Sequence, residues 1–161
     1  EFNKDAWDGM SELCLPGLPF SEEWGGAGFD NLSYSIAVEE ISRVCGSMGL
    51  TLAAHVSLGT WPIYAFGSQA LKERYLPGLC SGEFMGAYGL TEPGAGSDSA
   101  GTQTTAVLDG DEYIVNGAKC FITNGNYSKS FVITVQTNAE LGSKGIVAMV
   151  IDRDQPGFMI E

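Results

Sequence analysis

A change in hydrophobic periodicity near residue 85 limits the fold more than any other feature of this chain. Before this point, apolar residues recur at the three- and four-residue spacing of amphipathic helices. After Gly86, short runs of β-branched and aromatic residues are separated by turn residues, which is typical of strands. This order argues against an alternating βαβ sheet. The sequence predicts an α+β fold, with a helical domain at residues 1–85 and a domain of antiparallel strands at residues 86–161.

The first predicted helix covers residues 30–46, where apolar residues fall near a 3.6-residue period. Asp30 or Asn31 can cap its first turn, and Glu39 and Arg43 form a favourable pair four residues apart. The helix is therefore expected to be amphipathic. The positions that define its apolar face are Leu32, Ile36, Ile41 and Val44.

Two more helices are predicted before the change in pattern. Residues 47–65 are apolar on nearly all sides, which indicates a central helix. The next helix is predicted to begin at Ser68 and to end at the Pro77-Gly78 pair. The single histidine, His55, lies in the apolar stretch, and we interpret it as a packed, hydrogen-bonded residue in preference to a catalytic base.

The second half of the chain is predicted to contain four strands in addition to the strand-like run near Tyr88. The Asp-Gly pair at residues 109–110 predicts a hairpin turn, and Asn116-Gly117 predicts either a bulge or a second turn. The four predicted strands cover residues 102–108, 113–125, 130–137 and 145–152.

Composition excludes several classes of function. The chain has 20 acidic and 8 basic residues, a net charge of −12 and no cluster of lysines and arginines, so nucleic acid is not expected as a partner. No apolar run reaches the roughly 18 residues that a membrane helix needs. Four cysteines without a CxxC motif, and a single histidine, predict no metal site; we interpret the cysteines as reduced, mostly buried thiols.

The glycine-rich stretch "YGLTEPGAGSD", residues 88–98, fits neither common phosphate-binding loop. No lysine follows the glycines, as a Walker loop requires, and Gly94, Gly96 and Gly101 lack the spacing of a dinucleotide fingerprint. Backbone without Cβ still permits the close approach of a ligand and leaves N–H groups free for phosphate oxygens.

Two segments of the chain resemble the acyl-CoA dehydrogenase family. "GLTEPGAGSDSAG", residues 89–101, resembles the family signature, and "NGAKCFITNG", residues 116–125, is similar to its second flavin-contacting segment. The helical half is similar to the family's amino-terminal domain, most closely in short-chain members. The resemblance covers essentially the whole chain and implies a helical domain followed by a β-barrel-like middle domain.

The resemblance also implies an activity and a cofactor. Family members use FAD to remove the α-proton and the β-hydride of an acyl-CoA thioester, which yields the trans-2-enoyl-CoA. Tyr88, Leu90 and Thr91 match positions that contact the isoalloxazine ring, with Thr91 hydrogen-bonded to its pyrimidine side. Phe121 matches an aromatic residue that packs against the flavin, and Thr123 matches the threonine that hydrogen-bonds flavin N5.

Polar residues of the glycine-rich stretch and one helical stretch are further candidates for roles in binding or in structure. Ser97 matches the serine between the FAD pyrophosphate and the CoA portion of the substrate, so it is expected to bind both. Glu92 is interpreted as a structural carboxylate and Asp98 as a local cap. Residues 50–58 match the family's acyl-pocket wall, although a helical core explains the same pattern and both readings stay open.

Family members run to more than twice this length and end in a helical bundle that carries the catalytic glutamate. The resemblance therefore implies no α-proton base in this chain, and Glu92, Glu112 and Glu161 are not candidates. The chain alone is expected to be inactive.

The resemblance further implies an electron-transferring flavoprotein as the electron acceptor, a homotetrameric parent, and a cytoplasmic (bacterial) or mitochondrial matrix (eukaryotic) location. An acyl-CoA oxidase-like relative and a non-catalytic flavin or acyl-CoA binding module remain as alternatives.

Overall fold

Polar side chains cap the starts of three α-helices in the computed structural model, which describes residues 2–161. The side chain of Asp30 accepts a hydrogen bond from the Ser33 N–H group at 2.8 Å, and Ser68 accepts one from the Leu71 N–H group at 3.4 Å. Both interactions satisfy backbone donors that a helix leaves without partners at its start. The predicted starts of these two helices are therefore confirmed.

The α-helices precede all of the strands, as the change in periodicity predicts. The helices are α1 (Lys4–Glu12), α2 (Asn31–Val44), α3 (Gly46–Ala54), α4 (Trp61–Phe66) and α5 (Gln69–Ser81). A π-helical segment, His55–Thr60, joins α3 to α4, so the three form one central helix. The strands are β1 (Met85–Gly89), β2 (Thr105–Asp109), β3 (Glu112–Asn116), β4 (Ser128–Gln136) and β5 (Ile146–Asp152).

Two details of the helix predictions are wrong. Helix α5 passes through Pro77 and ends at Gly82, whose φ of 76° gives the left-handed conformation common at helix ends. Pro77 is exposed, so water can solvate the carbonyl that lacks its donor. In α2, Arg43 pairs with Glu40 at 3.0 Å instead of with Glu39, because residues three apart are also neighbours on a helix.

The predicted apolar face of α2 is only partly covered within residues 2–161. Ile41 packs against the main core, but Leu32, Ile36 and Val44 have exposed fractions of 68%, 53% and 91%. The periodicity thus predicts the helix correctly, while the described residues leave most of its apolar face open to solvent.

The central helix and β1 touch through their backbones. A Cβ atom on Gly59 would overlap the carbonyl carbon of Gly86, so glycine at this crossing permits the close approach. His55 lies beside the crossing: its Nδ1 accepts from the Gly86 N–H group at 3.1 Å, and its Nε2 donates to the Leu79 carbonyl at 3.0 Å. The interpretation of His55 as a packed, hydrogen-bonded residue is confirmed.

The five-stranded sheet is mixed and does not close into a barrel. β4 pairs with β1 and, at one position, with β2 in parallel, and it pairs with β5 in antiparallel orientation. The α+β class is confirmed, whereas the prediction of purely antiparallel strands is wrong. Parallel pairing needs a long connection, and residues 90–127 supply it between β1 and β4. The predicted hairpin joins β2 to β3, with Gly110 at a φ of 65°.

The second predicted strand, residues 113–125, ends much earlier than expected. β3 stops at Asn116, and residues 117–127 form an irregular segment with turns. Phe121 and Asn124 have φ values of 57° and 66°, which a continuous strand cannot accommodate. Thr123 therefore lies in a turn and not on a strand.

Several predictions about composition can also be compared with the structure. All four cysteines are free, but only Cys80 is buried; Cys120 is half-buried, and Cys14 and Cys45 are exposed, so the prediction of mostly buried thiols is wrong. Within residues 2–161, no group of three metal-ligating side chains occurs. No helix in the same range is long and apolar enough to cross a membrane.

We expect stability to depend on pH through His55. Complete burial lowers the pKa of His55 from 6.5 to about 4, so the fold favours the neutral ring. The associated stability is complete above pH 6.5 and decreases by about 3 kcal/mol as the pH falls toward 4. Urea unfolding of the protein that contains this chain, between pH 7 and pH 5, should show about 2 kcal/mol of this decrease.

The variant His55→Gln provides the control because glutamine does not titrate in this range. Its absolute stability is expected to be lower, since the hydrogen bond to Gly86 is lost. The slope of unfolding free energy against pH should be shallower between pH 6.5 and pH 5 than in the wild type. Equal slopes in the two proteins would contradict the assignment.

Candidate active site

A cleft of about 230 Å³ lies between the central helix and the segments that follow β1 and precede β4. It contains five of the six predicted site residues: Tyr88, Leu90, Thr91, Phe121 and Thr123. Two segments that are distant in sequence thus meet at one surface. The remaining lining residues are Ala54, Leu58 and Ile122.

Two hydrogen bonds bring the second motif segment, residues 116–125, to the cleft. The Cys120 N–H group donates to the Thr91 carbonyl at 2.8 Å, which fixes the second segment beside the end of β1. The Asn124 side-chain amide donates to the Thr51 carbonyl at 3.0 Å, which fixes the same segment to the central helix. The cleft is consequently bounded on three sides by anchored backbone.

Phe121 is held in an unfavourable conformation at the mouth of the cleft. Its side chain is 92% exposed, and its φ of 57° lies in the left-handed region that bulky residues rarely adopt. Such strain persists where surrounding contacts impose it, and it is concentrated at functional sites. An exposed aromatic face in this position suits a flat apolar ligand.

The cleft contains few polar side chains. Within residues 2–161, the hydroxyl groups of Thr91 and Thr123 take part in no intramolecular hydrogen bond. Tyr88 and Leu58 provide apolar surface beside them. A flavin ring is a flat, largely apolar plate with a polar rim, so apolar faces with a small number of free hydroxyls fit its chemistry.

Glu92 and Lys119 form a nearly buried ion pair behind the cleft wall, with Nζ and Oε1 2.7 Å apart. The Glu92 carboxylate also accepts from the N–H groups of Gln103 at 2.7 Å and Thr104 at 3.0 Å. Burial opposes ionisation, but the hydrogen bonds from Lys119 and from these N–H groups outweigh it and lower the pKa of Glu92 to about 2. The structural interpretation of Glu92 is confirmed.

Sequence reasoning did not identify Lys119 as part of this region. The available signal was a lysine inside the apolar segment "NGAKCFITNG", close to a motif that contains a glutamate.

Ser97 does not line the cleft. It is exposed in the glycine-rich turn, so its predicted contacts with cofactor and substrate stay a prediction. Asp98 occupies the cap position of a short 3-10 helix, Ser99–Gly101, but its side chain makes no capping hydrogen bond. The predicted location of this cap is right, and the predicted side-chain interaction is absent.

The core reading of residues 50–58 is confirmed for part of this stretch, and the acyl-pocket reading stays a prediction. Ala54 and Leu58 line the cleft, whereas Leu52 and Val56 are buried in the core. The π-helical segment that contains Leu58 widens the helix locally, and such segments are frequent at functional sites.

Family models match almost the whole chain. The acyl-CoA dehydrogenase N-terminal domain matches residues 1–83, and the acyl-CoA dehydrogenase middle domain matches residues 87–161. The chain belongs to the acyl-CoA dehydrogenase family. The motifs that meet at the cleft are thus acyl-CoA dehydrogenase motifs.

Individual family members agree closely with this chain. A short-chain-specific acyl-CoA dehydrogenase of Clostridium acetobutylicum is 52% identical over 151 residues, which are 94% of this chain and 40% of that protein. Butyryl-CoA dehydrogenase from Megasphaera elsdenii has a TM-score of 0.92 at 40% identity and covers 97% of this chain. An acyl-CoA dehydrogenase from Bacillus anthracis complexed with FAD has a TM-score of 0.85 at 37% identity, over 94% of this chain and 25% of its own.

The chain spans about two fifths of the length of the Clostridium and Megasphaera proteins, 40% and 42% respectively. The similarity nevertheless extends over the helical half, the sheet and both cleft segments.

We expect the conformation of Phe121 to lower the stability of the ligand-free protein. In Phe121→Asn, a residue that tolerates positive φ replaces an exposed phenylalanine, so little packing is lost. The free energy of unfolding should rise by about 1 kcal/mol in the absence of ligand. Urea unfolding of the apoprotein measures this change.

Phe66→Asn is the matched control, because Phe66 is 85% exposed but helical. It should not stabilise the protein. A stability gain in both variants, or in neither, would contradict the attribution of strain to residue 121.

Proposed function

We propose that this chain forms the amino-terminal and middle part of a flavin-dependent acyl-CoA dehydrogenase that binds FAD at the cleft. The observation that carries this proposal is the meeting of both motif segments at one cleft, with the hydroxyls of Thr91 and Thr123 free to bind a ligand. When bound, FAD supplies the acceptor for the hydride that leaves the β-carbon of the acyl chain.

The residues of the cleft bind and orient in this proposal. Thr91 hydrogen-bonds the pyrimidine side of the flavin, and Thr123 hydrogen-bonds N5. Tyr88, Leu90 and Phe121 cover the ring and exclude water, which strengthens the polar contacts that remain. Their common location in the cleft supports these roles.

No carboxylate within residues 2–161 lines the cleft. Glu92 is engaged by Lys119 and two N–H groups, and its pKa of about 2 makes it a poor base. The α-proton base of the proposed reaction is therefore not assigned to this chain, and residues 1–161 alone are expected to be inactive.

We further propose a short acyl-CoA as the substrate, with Ser97 between the FAD pyrophosphate and the CoA. The identity to a short-chain-specific relative supports the chain length. By family resemblance, we propose an electron-transferring flavoprotein as the electron acceptor and a homotetrameric assembly, with two domains at residues 1–85 and 86–161. We propose that the protein is located in the cytoplasm if its source is a bacterium, and in the mitochondrial matrix if its source is a eukaryote.

The activity is tested on the full-length protein that contains this chain. We expect it to purify yellow, to lose its flavin absorbance anaerobically on addition of butyryl-CoA, and to reduce an artificial dye without forming peroxide in air. A protein that stays colourless after addition of FAD would refute the proposal. Rapid peroxide formation would indicate an oxidase.

Thr123→Ala should slow flavin reduction by butyryl-CoA in the full-length protein at least about tenfold, because one preorganised hydrogen-bond donor is lost. Binding of acyl-CoA should remain nearly unchanged. Stopped-flow absorbance measures the reduction rate, and a titration with a non-reacting thioester measures binding.

Thr105→Ala serves as the matched control, since Thr105 is exposed on β2 and does not line the cleft. It should reduce at the wild-type rate. A wild-type rate of flavin reduction in Thr123→Ala would show that Thr123 has no role at the site.

A further inference from the structure

Lys119 contacts the back of the cleft wall without lining the cleft itself. Its ammonium donates to the Leu90 carbonyl at 3.2 Å, to the Glu92 carboxylate at 2.7 Å and to the Thr134 hydroxyl at 3.0 Å. The side chains of Lys119 and Glu92 are only 10% and 5% exposed. One charged group thus joins the first cleft segment to β4.

Glu92 closes the base of the glycine-rich loop. Its carboxylate accepts from the N–H groups of Gln103 and Thr104, which follow the loop. At the start of the loop, Glu92 and Ala95 exchange backbone hydrogen bonds of 2.9 and 3.1 Å. Both ends of the loop that carries Ser97 are therefore fixed by one residue.

The two cleft segments are also joined pairwise. The Lys119 ammonium donates to the Leu90 carbonyl. The next residue in each segment repeats the pairing, since the Cys120 N–H group donates to the Thr91 carbonyl. Displacement of the Lys119 side chain would release its contacts with Leu90 and Glu92, both of which help to align the segments. The position of the Thr91 hydroxyl depends on this alignment.

We infer that Lys119 and Glu92 are a positioning pair that aligns both cleft segments and the glycine-rich loop, and that keeps the charge behind the bound flavin balanced. This inference rests on the proposed function. Each member of a buried pair is neutralised by the other, so removing one leaves an uncompensated charge. In a poorly solvated region, such a charge acts on a neighbouring redox group with little screening.

The charge balance predicts opposite electrochemical effects for two nearly isosteric variants. In Lys119→Met, the remaining carboxylate should disfavour electron uptake and lower the flavin midpoint potential. In Glu92→Gln, the remaining ammonium should raise the potential. The double variant has no uncompensated charge, so its potential should return close to the wild-type value.

The alignment predicts a separate effect on cofactor affinity. Reconstitution of the apoprotein with FAD, followed by fluorescence, should give a dissociation constant about tenfold or more above wild type in Lys119→Met and in the double variant. Lys144→Met and Glu112→Gln remove the same charges from exposed positions. These controls should change neither potential nor affinity, because solvent screens exposed charges.

The inference fails if the two single variants shift the potential in the same direction or leave it unchanged. If either single variant does not fold, the double variant decides: wild-type FAD affinity would overturn the positioning role, and weakened affinity with a wild-type potential would support it. The proposed function fails separately, through a wild-type protein that does not bind FAD. If the wild-type protein binds FAD and the variants have unchanged midpoint potentials and FAD affinities, the inference is refuted while the proposed function stands.

Discussion

The crossing of the central helix and β1 is the contact on which the remaining structure depends. Gly59 and Gly86 allow the two backbones to touch, and the neutral ring of His55 satisfies the polar groups that this approach would otherwise leave buried without partners. The crossing fixes the end of β1 relative to the helix. Leu58 and Thr91 face the same cleft for this reason.

The distribution of charge around the cleft is as important as its shape. The chain has a net charge of −12, yet the side chains that line the cleft are uncharged. The ionised side chains of Lys119 and Glu92 lie behind the wall and neutralise each other. Polar recognition in the cleft is therefore left to hydroxyl and backbone groups, which favours a neutral ring over a metal ion or an exposed carboxylate.

Local patterns in the sequence were sufficient to predict α2, the central helix and α5, their order and two of their caps, but not α1. They were insufficient for the sheet, because the parallel pairing of β1 with β4 depends on contacts between distant residues. The apolar run around Phe121 resembles a strand, and nothing in its composition reveals the positive φ at that residue. Tertiary contacts, including the bond from Asn124 to Thr51, hold this segment out of the sheet.

The site was predictable to the extent that motifs carry it. Family resemblance identified five cleft residues, including Thr91 and Thr123, although the residue patterns alone gave ordinary threonines. Lys119 escaped notice because a lone lysine in a strand-like run usually faces solvent. Its partner, Glu92, is distant in sequence, so the ion pair becomes visible only once the two segments are brought together.

The residues that flank the β2–β3 hairpin are fixed beside the site. The Thr104 N–H group donates to Glu92, and Gly117 packs so closely on Thr104 that a Cβ atom on Gly117 would overlap the Thr104 side chain. Between these points the hairpin projects into solvent, with Tyr113 and Ile114 each 49% exposed. Lengthening its turn would add only a modest loop-closure cost and would not displace either anchor. An insertion in this turn would therefore extend the hairpin away from both anchors and leave the geometry of the cleft unchanged.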